Sequence, residues 1–169
     1  ARDDGGVSEG DVIGVLPGLR LRAVPGTQNH YANLGYAVLS VLVARVSGMR
    51  YRDYVSTYIL GPLGMADARW DRDDIPEARR TVGYVGARGR FKPAPDWVMG
   101  ASEGMGGLYA SLDDMVHFAA FQMTAWPPGY RPDMQPLRNA SLRESHRLGG
   151  HQLAFKQGTG IGWGVSSGS

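Results

Sequence analysis

A tyrosine and an asparagine stand two apart, Tyr31 and Asn33, just ahead of an apolar run. A phenol has a reference pKa of about 10, so it serves as a base only where nearby cations stabilise the phenolate. Beside a lysine ammonium it can shuttle a proton to or from a serine hydroxyl or a leaving group. A carboxamide offers donor and acceptor together, and can hold a substrate amide and that lysine at once. A single intervening residue lets both side chains face one cleft from a loop. The same residues also allow a structural reading. Asn33 is a good N-cap for a helix beginning at Leu34, and Tyr31 would then only pack.

The elements that must position this pair follow from the residues around it. Pro25-Gly26 marks a turn in front. The apolar stretch Leu34 to Val46 predicts a helix buried on most faces, ended by Gly48 in the left-handed conformation. A second helix is expected over Tyr51 to Leu60. Its residues Tyr51, Tyr54, Val55, Tyr58 and Ile59 form a one-sided core stripe, and Pro62 and Gly64 stop it. Ser111 and Asp114 have capping-box spacing, which predicts a third helix over Leu112 to Met123. Leu112, Met115, Val116, Ala119 and Met123 should face inward on it. A weaker helix is expected over Leu137 to Leu148.

Strand signals are sparser. Thr81 to Val85 reads as a short strand and GARGRFKPAPDW as a loop. Leu153 to Val165 reads as two strands joined at Gly158-Thr159-Gly160, with Trp163 in the sheet core. Residues 1–30 read as loop, broken by Pro17, Pro25 and six glycines. The fold class is therefore α+β: a mostly helical portion with the edge of an antiparallel sheet at its C-terminal end. As organisation, 1–169 is one partial domain, with a loop-rich lead-in (1–30), a helical region (31–150) and the start of a sheet (151–169).

The totals exclude several function classes. The chain has 169 residues, enough for one core, and 18 basic against 16 acidic side chains leave +2. That balance gives no footprint for a nucleic-acid partner. The run at 34–46 is too short to span a bilayer, which takes ~20 residues. With no cysteine there are no disulfides and no thiolate zinc sites. His30, His117, His146 and His151 read as surface or satisfied histidines rather than ligands. Asp71, Asp73 and Asp74 read as a solvated loop lacking calcium-loop spacing. No metal and no cofactor is expected.

The stretch PGTQNHYANLGYAVLSVLVARVSGMRYRDYVSTYILGPLGM resembles the middle of the serine β-lactamase and penicillin-binding-protein superfamily. The match is to the branch of class C β-lactamases, esterases and D-amino-acid peptidases. Its PG-x-x-x-x-Y-x-N element, its buried helix ending in SG, its tyrosine-bearing helix and PLGM appear here in order. Val82-Gly83-Tyr84, MGGLYASLDDMVHF and GIGWGV continue the likeness to Val165. The resemblance implies a serine acyl-transfer enzyme in which an S-x-x-K serine attacks a carbonyl. Tyr31 would be the base or proton shuttle and Asn33 the orienting amide. Gly106 and Gly107 would line the cleft floor, because a glycine pair lets backbone approach a ligand. Tyr84 would form part of the substrate wall. The substrate would be a small molecule: a β-lactam, an ester or a D-amino-acid amide. A periplasmic or secreted location is implied by the same likeness.

The departures shape further expectations. No serine here has a lysine three residues on, and the third motif of the family is missing. Lys156-Gln157-Gly158 spells K-x-G, but it precedes the GIGWGV strand that the motif should follow, so Lys156 reads as a surface lysine beside a turn. The chain is expected to be a fragment, inactive alone, with missing segments of the same protein as its partners. The alternative is a non-catalytic ligand-sensing or structural module of the same fold.

Overall fold

The computed structural model describes residues 6–25, 27–28, 30–129, 132, 136–147 and 157–166. Gly26, Leu148, His151 and Lys156 lie outside the described residues. Among the described residues, five α-helices and two small antiparallel ladders follow in the order α1 (Glu9–Gly14), α2 (Asn33–Ser47), α3 (Tyr51–Val55), β1 (Tyr84–Ala87), β2 (Arg90–Pro93), α4 (Leu112–Met123), α5 (Asn139–Ser145), β3 (Gln157–Thr159) and β4 (Gly164–Ser166). The protein is thus α+β, with most of its ordered backbone helical.

Local chemistry accounts for most of these boundaries. Ser8 and Ser111 each accept from the backbone N–H three residues on, while Asp11 and Asp114 reach back to the cap backbone. Two of the four free N–H groups at each helix start are thereby satisfied. Gly48 ends α2 with φ 69°, its N–H donating to Ala44 O at 3.0 Å. α3 does not stop at Val55. It widens into a π turn, Ser56–Leu60, and the Trp70 indole N–H donates to Ser56 Oγ at 2.9 Å.

Two clusters make the core. Val55, Leu60, Leu63 and Met65 pack with Phe121, Ala125 and Leu142, which joins α3 to α4 and α5. Val12, Ala37 and Val41 form the second, between α1 and α2. The aromatic stripe of α3 contributes Tyr51 and Tyr54, whereas Tyr58 is exposed.

Several expectations are corrected here. α4 turns Asp114, Phe118 and Phe121 inward, and the anticipated face points out, with Leu112 83 % exposed. The helix carries two apolar sides. The inward one is chosen because Asp114 Oδ1 accepts from the Asp67 backbone N–H at 3.1 Å, while the aromatic rings fill the α3 cluster. α2 buries only Ala37, Ser40 and Val41 fully among its residues, and Leu39, Leu42 and Val46 stay exposed. Its outer face has no cover among the described residues.

The segment read as a loop after Val85 holds β2. It pairs with β1 in the register Tyr84↔Pro93 to Ala87↔Arg90. Arg88 and Gly89, both at positive φ, make the two-residue turn that suits this twist. Residues 1–30 contain α1. The strand joint near the C-terminus lies at 160–163, after Thr159 and not at Gly158-Gly160. Trp163 does not sit in a sheet core: it is part-exposed and packs on Phe118 (stacked, 6.2 Å) and His146 (edge-on, 5.4 Å).

One contact fixes the loop 99–107 to α2. The Cβ that an alanine would carry at position 104 falls 2.4 Å from Tyr36 O and 3.0 Å from Ser40 Cβ. Only glycine permits that approach. Gly104→Ala is expected to lose about 1–3 kcal/mol from overpacking. A urea melt of the full-length protein checks it, and an unchanged midpoint would mean the loop can lift off the helix freely.

Candidate active site

The backbone reaches α2 extended, with Ala32 as N-cap at φ −144°. Asn33 is the first helical residue and its side chain does not cap the helix. Tyr31 is 85 % exposed and Asn33 is exposed beside it. The structural readings of the pair, a capping amide and a packed ring, are therefore not realised. Among the described residues neither side chain has a hydrogen-bond partner.

One helical turn further on, Tyr36 links the surrounding parts. Its carbonyl meets the loop at Gly104. Its hydroxyl lies 3.8 Å from the Cβ position of Gly162, at the tip joining β3 and β4. Ser40, fully buried, donates to Ala101 O at 2.6 Å and to Ala37 O at 2.7 Å, which ties the same loop one turn deeper. Two segments, the loop 99–107 and the β3–β4 tip, thus meet the first turns of α2. Tyr36 escaped the sequence reading. The signal available was its position three residues after Asn33, which places the two on one helix face.

Gly106 and Gly107 follow in that loop and lie over Met99, which is buried. Gly107 has φ 97°, and a Cβ there would stand 2.9 Å from Met99 Cγ. The loop is held from its other side by a buried ion pair. Arg52 donates through Nε to Glu103 Oε1 at 2.7 Å and again through Nη2, while Nη1 donates to Asp71 Oδ2 at 2.7 Å. The Arg52 and Glu103 side chains are 14 % and 7 % exposed. Burial works against the Arg52 charge, but hydrogen bonds and charge from Glu103 and Asp71 outweigh it and raise the guanidinium above its ordinary value. Burial, helped by the Glu103 charge, also raises the Tyr51 phenol.

Tyr84 stands apart, exposed on the β1–β2 ladder. The structure gathers the Tyr31-Asn33 segment, the glycine loop and the β3–β4 tip around Tyr36, and leaves Tyr84 on a separate hairpin.

His146 accepts the Trp126 indole N–H on Nδ1 at 3.3 Å, and its Nε2 pairs with Gln122 Oε1 at 2.9 Å. His117 Nδ1 pairs with Gly64 O at 2.9 Å. Among the described residues no three His, Asp or Glu side chains converge as metal ligands, and no helix is long and apolar enough to cross a membrane. A cleft of about 460 Å³ lies under 67–81 and another of about 350 Å³ between α1, α2 and 100–103; both are lined by residues other than the five candidates.

Comparison with known proteins places the family and the fold. Residues 2–169 match the sequence model of the Beta-lactamase family. The chain is 32 % identical over 98 residues to Beta-lactamase-like protein 2 of Dictyostelium discoideum, covering 58 % of this chain and 18 % of that protein. It is 32 % identical over 98 residues to a D-aminopeptidase of Cereibacter sphaeroides, covering 57 % and 19 %. The chain therefore spans under a fifth of the length of these curated relatives. Among solved structures, a penicillin-binding protein from Bacillus halodurans superposes with TM-score 0.68 at 18 % identity, over 94 % of this chain and 47 % of that one; this likeness concerns the fold.

Proposed function

The chain belongs to the beta-lactamase family, and from that premise we propose that it forms the helical side of a serine acyl-transfer site acting on a D-amino-acid amide or peptide. Tyr31 is the proton shuttle of this site and Asn33 its orienting amide. Gly106 and Gly107 form the cleft floor and Tyr84 part of the substrate wall. The nucleophilic serine and its lysine come from other segments of the full-length protein. The observation that carries the reading is the exposed Tyr31-Asn33 pair at the mouth of α2, with the glycine loop pinned one turn behind it. The D-amino-acid preference rests on the D-aminopeptidase relative. β-Lactams and simple esters present the same acyl carbon and are weaker candidates.

Within this site the Asn33 carboxamide holds the substrate amide while Tyr31 relays the proton between the attacking hydroxyl and the leaving amine. The test is covalent labelling of the full-length protein with a fluorophosphonate, alongside turnover of D-alanine p-nitroanilide. A single labelled serine, with labelling and turnover blocked together, is the expected result. Ligand binding with no serine labelled would replace the enzyme by a non-catalytic sensing module.

A further inference from the structure

A chain that is nearly balanced in charge carries one local excess. The whole sequence has a net charge of +2, yet residues 81–95 hold three cations, Arg88, Arg90 and Lys92, and no acidic side chain. All three stand on the β1–β2 hairpin, Arg88 in its turn and the others on β2. Among the described residues none of them has an ion pair or a side-chain hydrogen bond. Elsewhere the pattern differs: Arg52, Arg72, Arg79 and Arg80 are each paired with a carboxylate.

The hairpin also divides by side. Directly opposed residues of a ladder share a side, and sides alternate along each strand. Tyr84, Pro93, Gly86 and Phe91 therefore form one side, and Val85, Lys92, Ala87 and Arg90 the other. The first side has two aromatic rings and no charge. Phe91 is opposed by a glycine, so no cross-strand side chain covers its ring, and it is 62 % exposed. All eight strand residues are exposed. The ribbon is thus amphipathic, with its apolar side in water and uncompensated cations behind it.

We propose that the full-length protein rests this hairpin on an anionic phospholipid bilayer, with Tyr84 and Phe91 entering the headgroup region and Arg88, Arg90 and Lys92 meeting lipid phosphates. An apolar face backed by cations is the arrangement that holds a segment in the plane of the interface without crossing it. The long Arg and Lys stems carry their charges past the edge of a thin ribbon to the phosphates beside it. Charge complementarity sets the sign of the partner. The uncovered rings set its kind: a soluble polyanion would meet the cations and leave the aromatic side wet. The proposal does not rest on the acyl-transfer reading, and Tyr84, which that reading uses, is left unaltered in the test.

Sedimentation of the full-length protein with vesicles tests it. One set contains phosphatidylcholine alone and the other equal parts of phosphatidylcholine and phosphatidylglycerol. Binding is expected to the mixed vesicles, at least tenfold tighter than to phosphatidylcholine, and weaker as salt is raised. Arg88→Gln, Arg90→Gln and Lys92→Gln should each weaken it about fivefold, and Phe91→Ser severalfold. Each variant should melt like the parent, and any that unfolds early leaves the test to the other three. Equal binding to both vesicle sets, or unchanged binding in the well-folded variants, would overturn the proposal. So would failure to sediment with either set, the result if another segment of the protein covers the ribbon. Displacement by polyglutamate together with full binding by Phe91→Ser would make the hairpin a polyanion site instead.

Discussion

Replacing Tyr31 by phenylalanine in the full-length protein should lower kcat/KM for a D-amino-acid amide by roughly 10²–10⁴, the usual contribution of a positioned acid or base. At about 1.4 kcal/mol per factor of ten, that is about 3–5 kcal/mol of lost transition-state stabilisation. The fold should not suffer, because the ring is 85 % exposed and the hydroxyl makes no hydrogen bond among the described residues. The loss should fall on kcat more than on KM, since the proton moves only in the reacting complex. Steady-state kinetics beside a thermal melt separates the outcomes. Wild-type turnover in a well-folded Tyr31→Phe protein would remove the phenol from the chemistry and, with it, the role assigned to Asn33.

The second large effect is on stability. Arg52→Ala leaves Glu103 with its side chain 7 % exposed and its main cation gone. Breaking a buried pair from one side costs about 3–5 kcal/mol, because the remaining buried charge keeps its desolvation penalty. Asp71, 54 % exposed, contributes little to this. The double variant Arg52→Met with Glu103→Met should recover most of the loss, since buried ion pairs are commonly replaceable by apolar residues of similar volume. Urea unfolding of the two singles and the double closes the cycle. Additive losses would mean that the pair is not coupled.

What could be read in advance was what local chemistry decides. The apolar run from Leu34 with Gly48 behind it delimited α2 to within one residue at each end. The Ser111–Asp114 spacing located the α4 cap, because both partners of that bond lie in one turn. The order of elements from Pro25 to Val165 carried the family. What stayed hidden depends on partners far along the chain. The inward face of α4 is selected by the Asp67 backbone and the aromatic cluster, neither of which appears in the helix's own periodicity. Glu103 stands in a glycine-rich loop whose own sequence carries no sign of burial. Its burial follows from Arg52, 51 positions away. β2 escaped because RFKP has no apolar alternation and both strands of its hairpin are exposed. The roles of Tyr31, Asn33, Tyr84, Gly106 and Gly107 rest on motif and likeness, and Tyr84 lies on the β1–β2 hairpin rather than on α2 or the glycine loop.

The joint between α5 and the β3–β4 tip carries a mechanical consequence. A Cβ at Gly160 would lie 2.2 Å from Ser145 O, the same carbonyl accepts the Ile161 N–H at 2.9 Å, and Trp163 is braced between Phe118 and His146. A seam this tight cannot hinge. The strand tip beside Tyr36 could swing outward only by dragging α5 and the aromatic wedge with it.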